Sequence, residues 1–69
     1  MAQQEFKKIV RQTMAAGFLK ALIERLADEQ NPFDMKVRRV ERGTWQVDLL
    51  TTEKDFEYFR NLLADPLKW

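Results

Sequence analysis

Carboxylates and cations carry most of the reactive potential of this chain, because none of its 69 residues is histidine or cysteine. The commonest general base and the strongest nucleophile are therefore missing. Three carboxylate groupings remain for acid–base work: Asp28 with Glu29, Glu53 with Glu57, and Asp55. Each sits where a solvated helix face or a helix terminus already accounts for it. Asp28, Glu29 and Asp34 are hard oxygen donors of the kind magnesium uses, but no loop of alternating acids and no glycine-rich cradle accompanies them. The sequence points to no catalytic residue, no cofactor and no metal site, and hence to a protein that is not an enzyme.

The cations offer a second chemistry. Lys7, Lys8 and Arg11 fall at a spacing that gathers them on one side of a helix. Lys36, Arg38 and Arg42 make a basic row on a hairpin, and Trp45 is a possible stacking platform. Lys7, Lys8, Arg11, Arg38 and Arg42 together define a nucleic-acid-binding alternative. Against it, Glu41 and Asp48 dilute the row, and basic residues on a strand edge also serve to discourage aggregation. Net charge is only +1, far from the basicity of a dedicated nucleic-acid binder. Its distribution is uneven: +3 over residues 1–25, −3 over 26–35, +2 over 36–50 and −1 over 51–69. Such alternation suits self-association or a charged partner.

These side chains need elements to position them, and the length allows a single small domain, residues 1–69. Helix formers dominate from about 3 to 29 with no proline, which predicts a long first helix. Its apolar pattern changes phase. Phe6, Ile9, Val10, Thr13, Met14 and Gly17 follow one stripe; Ala15, Phe18, Leu19, Leu22, Ile23 and Leu26 follow another. Either the helix breaks near Gly17, or one continuous helix carries two apolar faces. Continuity is the expectation, since Met14–Leu19 contains no polar turn residue. Asn31-Pro32 ends the element.

Strands are expected at about 35–40 and 44–50, joined by a three-residue loop, Glu41-Arg42-Gly43, with Gly43 in the left-handed conformation. That register sets Met35 against Leu49, Val37 against Val47, Arg39 against Trp45 and Val40 against Thr44. Arg39 then lies over the indole. Lys36 meets Asp48 and Arg38 meets Gln46 on the other face. A two-residue loop scatters the apolar set over both faces. A last helix, about 52–64, starts at Thr51 or Thr52 as N-cap and buries Phe56, Phe59, Leu62 and Leu63. Leu67 and Trp69 follow, and Trp69 is expected to dock on its own domain.

The fold class so predicted is α+β in α-β-β-α order: a long N-terminal helix, a two-stranded antiparallel hairpin and a short C-terminal helix. A lone hairpin is marginal in water and has two open edges, so dimerisation is expected to complete it. Phe18, Leu22 and Leu26 are the expected interface, with Ala15 and Gly17 permitting close approach. The expected function is a non-catalytic protein-binding module, an adaptor, regulator or inhibitor, that is cytoplasmic and has no membrane partner. Its partners are itself and another protein, with nucleic acid as the alternative.

Overall fold

The strand Thr44–Thr51 has neighbours on both sides in the computed structural model, which describes residues 5–69. In chain order the elements are β1 (Lys8–Ala15), α1 (Ala16–Leu26), β2 (Phe33–Glu41), β3 (Thr44–Thr51) and α2 (Phe56–Ala64), then a 3-10 turn at Pro66–Lys68. The sheet is three-stranded with order β1-β3-β2, and both outer strands run antiparallel to β3. β1 and β2 are thus parallel to each other with β3 inserted between them. The mixed α and β content matches expectation, whereas the α-β-β-α order and the two-stranded sheet are corrected to β-α-β-β-α and three strands.

The long first helix is the main correction. Only 16–26 are helical, and 8–15 form a strand; Gln3 and Gln4, the proposed helix start, lie outside the described residues. The cause lies in the spacing. Phe6, Val10 and Met14 recur every four residues, and an interval of four keeps side chains on one face of a helix and of a strand alike. Val10 and Met14 are indeed buried together, but through strand alternation, with Lys8 and Gln12 on the same face. The phase change therefore marks a strand passing into a helix. Gly17 is the second residue of α1 and has no positive φ. The expected continuity fails one residue earlier, where strand gives way to helix between Ala15 and Ala16, and Gly17 itself is helical rather than a left-handed stop.

β2 and β3 pair as expected from Met35↔Leu49 to Arg39↔Trp45. The tip differs. Glu41, not Val40, faces Thr44, and the irregularity falls between Arg39 and Glu41. The turn is Arg42-Gly43, with Gly43 at φ 80°. The extra residue is absorbed at Val40, which restores the apolar register that a two-residue loop alone would lose.

Val10, Met14, Leu19, Leu22, Leu26, Val47, Leu49, Phe59 and Leu63 form the core, between one sheet face and the two helices. Phe56 and Leu62 pack at its margin, so the last helix uses the expected stripe. It begins at Phe56, four residues after Thr52, because a turn precedes it. The Asp55 N–H donates to Thr52 Oγ1 at 3.3 Å, and the Thr52 hydroxyl donates to the Asp55 carboxylate at 3.1 Å. Trp69 docks on its own chain: its indole N–H donates to the Leu62 carbonyl at 2.7 Å, and its ring meets Phe18 edge-on at 6.5 Å. No helix among the described residues is long and apolar enough to cross a membrane.

Candidate interaction surface

Alternation along the strands sorts the charged residues onto two different sheet faces. The face away from the helices carries Arg11 from β1, Gln46 and Asp48 from β3, and Asp34, Lys36 and Arg38 from β2. Arg11 grips Asp48 with two contacts, Nε to Oδ1 at 2.8 Å and Nη2 to Oδ2 at 3.3 Å. Gln46 Nε2 adds a donor to the same carboxylate at 3.4 Å. The hydrogen bond from Arg11 holds the Asp48 carboxyl below its usual value, more than offsetting partial burial, and the field of Arg38 acts in the same direction. The same bond raises the Arg11 guanidinium above its ordinary value. A shallow cleft of about 360 Å³ runs between Arg11, Lys36, Arg38, Gln46 and Asp48.

The five predicted nucleic-acid residues are therefore dispersed. Lys7 precedes β1. Lys8 points to the helix side, 5.6 Å above the Phe56 ring, and Arg11 points to the opposite side. Arg38 joins Arg11 on the outer face, and Arg42 lies in the turn. Trp45 pairs with Met14 on the helix side, so the stacking platform and the outer cations are separated by the sheet. The expected Arg39 lid over Trp45 is also corrected. The two residues are opposite one another, but the cation–π contacts among the described residues are Lys8 and Arg60 on Phe56. On the outer face Arg11, Lys36 and Arg38 are matched by Asp34, Glu41 and Asp48. A face so balanced lacks the excess charge that drives binding to phosphate backbones.

The predicted interface residues divide as well. Leu22 and Leu26 are 0% and 5% exposed, which places them at the heart of the intramolecular core. Ala15 and Gly17 are exposed at the joint between β1 and α1, and Phe18 is 49% exposed beside Trp69. Phe18, Met14 and Trp69 line a mainly apolar cleft of about 290 Å³.

Sequence reasoning missed the side of β2. Both helices pack on β1 and β3, and neither lies along β2. Phe33 and Met35 reach the margin of the core, with the Phe33 ring 5.7 Å from Phe59. Farther along the same face Val37 is 37% exposed and Arg39 is open to solvent. The outer edge of β2 is open too. The Met35 N–H turns away from β3 and donates to the Asp34 carboxylate at 2.9 Å. Strand alternation directs the main-chain groups of Phe33 and Val37 outward with it. The signal was the charge content of 34–41, high for a strand buried on one face.

At the other end of β2, Glu29 ties the α1–β2 connection. Its side chain is 3% exposed and accepts from Tyr58 Oη at 2.7 Å, Arg25 Nη1 at 3.2 Å and the Asn31 N–H at 3.0 Å. Burial pushes this carboxyl up, but Tyr58, Asn31 and Arg25 together bring it below its usual value. No buried side-chain nitrogen or oxygen among the described residues lacks a partner, so the cluster works as a structural clasp. Among the described residues no cluster of three or more acidic side chains is placed to hold a metal ion. The fold and this surface define a small α+β protein built on a split β-α-β sheet with the hairpin end of one outer strand left uncovered. Comparison with protein-family models, with curated proteins and with solved structures returned no match.

Proposed function

We propose that this chain is a non-catalytic protein-binding module that engages its partner through β2, using the strand edge and the uncovered residues Val37, Arg39 and Val40. The observation that carries this reading is the asymmetry of cover. Two helices shield β1 and β3, while β2 keeps outward main-chain groups and exposed apolar side chains. Open edges of this kind take an added strand readily, main-chain hydrogen bonds giving affinity and alternate side chains giving selectivity. The absence of histidine and cysteine from the sequence favours binding over catalysis. The module is an adaptor, regulator or inhibitor in this reading, and the apolar helix surface first expected as its interface is replaced by the strand.

Photo-crosslinking in host cells tests this. A photoreactive residue at Val37 is expected to capture a protein, whereas the same residue at the exposed Lys20 of α1 captures none. Equal labelling at both positions, or none at Val37, overturns the reading. A nucleic-acid role keeps one favourable observation, the pair Arg39 and Arg42 beside the single Glu41 in a shallow cleft at the hairpin end. Crosslinks from Val37 to RNA or DNA, lost steeply with added salt, replace the protein reading with that one.

A further inference from the structure

We infer that the occupant of the β2 edge is a second copy of this chain, paired antiparallel with the two-fold axis at Met35. The inference rests on the protein-binding reading and names its partner. β2 is complementary to itself in one register. With Met35 facing Met35 of the second copy, Asp34 faces Lys36 of the second copy, and Phe33 faces its Val37. Symmetry repeats both pairings. The charged pairs fall on the outer sheet face and the apolar pairs on the helix side, as β2 already sorts them. Directly opposed residues of opposite charge stabilise a ladder, and like charges destabilise it.

Neighbouring registers fail this test. Centring on Asp34 sets Asp34 against itself. Centring on Lys36 sets lysine against lysine, and centring on Val37 sets Lys36 against Arg38 twice. The Met35 register also matches the direction of the main chain. The outward groups of Phe33, Met35 and Val37 meet their counterparts, forming about six hydrogen bonds. Asp34 now occupies the Met35 N–H; in the dimer that amide donates to a carbonyl of the second strand, and the carboxylate turns to Lys36 of the second copy. β1, the other open edge, offers no such match, since its charged residues Lys8 and Arg11 are both cationic. The product is a six-stranded sheet with all four helices on one face.

Sedimentation equilibrium over a concentration series, with the full chain, tests the pairing. A mass rising toward twice 8.3 kDa is expected for the wild type. Asp34→Lys alone and Lys36→Asp alone each create two like-charge contacts and are expected to weaken dimerisation at least tenfold. The double variant restores both pairs with inverted sign and is expected to recover most of the loss. Circular dichroism and thermal melts of each variant at low concentration check the monomer fold; Lys36→Asp and the double variant carry the same change opposite Asp48, so the rescue isolates the contact between chains. Should a variant fail to fold, Val37→Pro, which removes an outward N–H and no bond to β3, is expected to abolish the dimer, its monomer fold being checked by the same dichroism and melts. A wild type monomeric throughout the series overturns the proposal, and so does a dimer that the double variant fails to rescue. Val37 crosslinks to a different protein alongside a monomeric mass leave the binding reading standing while removing this partner.

Discussion

Leu22 and Phe18 lie four residues apart on α1 and look interchangeable in the sequence, yet truncating them should have very different effects. Leu22 is fully buried, and Phe18 is 49% exposed. Leu22→Ala deletes three carbons from a closed site. At about 0.8 kcal/mol per buried methylene the transfer loss is about 2.4 kcal/mol, and the cavity left behind brings the total to about 3–4 kcal/mol. Phe18 has removed only half of its surface from water, so its truncation costs about 1 kcal/mol. A fold of this size holds about 3–5 kcal/mol in all, and Leu22→Ala is therefore expected to keep at most about 2 kcal/mol at 25 °C. Leu22→Val, expected to cost about 1 kcal/mol, supplies the graded point. Urea melts followed by far-ultraviolet circular dichroism, at concentrations below any dimerisation, measure all three. A Phe18→Ala loss equal to or larger than that of Leu22→Ala refutes the assignment of Leu22 to the core and returns both residues to a partner surface.

Three further outcomes are expected. Gly17→Ala should raise stability by about 0.5 kcal/mol, since the added Cβ meets nothing within 4 Å and the backbone is already helical; a lower melting temperature contradicts a continuous α1. Thr52→Ala should lower stability by about 0.5 kcal/mol through loss of the hydroxyl that donates to the Asp55 carboxylate and shares the Asp55 N–H with the Thr52 carbonyl, which remains, read from the same urea melts. Asp48 and Glu29 both titrate below their ordinary values, so the unfolded chain binds more protons in acid. Their contribution is complete above about pH 4, the ordinary carboxylate value, and is lost as pH falls through the lower folded values. Melting temperature should fall across that window, and less steeply in Asp48→Asn and Glu29→Gln; a steeper fall in either variant reverses the sign of the argument.

The hairpin between Met35 and Trp45 was legible because its wrong registers scatter Val37, Val47 and Leu49 over both faces. The last helix was legible because Phe56, Phe59, Leu62 and Leu63 repeat at helical spacing only. Residues 8–15 were not. Intervals of four fit both periods, and the good helix formers around Met14 favour the wrong one. The strand's real evidence, Ile9, Val10 and Thr13, lies in β-branching, a weaker signal than periodicity. Missing β1 had a further effect: it left too much apolar surface on a supposed helix, which then looked like an interface. Half of that surface, Leu19, Leu22 and Leu26, belongs to the core. The candidate site was hidden for a related reason. Which strand the helices leave uncovered depends on β3 being central, and the charge content of 34–41 is the one local hint of it.

The central position of β3 also sets the order of events during synthesis. β2 and β3 are joined by a tight turn and can close as soon as both are made. β1 pairs Lys8 with Thr51 and Ala15 with Thr44, so it leaves the ribosome long before the strand it needs. At about 5–20 residues per second the wait is on the order of seconds, far longer than the microseconds a hairpin takes to form. During that interval Val10 and Met14 have no sheet to join, and α1 has no floor to rest on. The closing step of folding is thus the docking of the earliest-made strand onto a finished hairpin, a non-local event whose rate is set by loop closure across most of the chain.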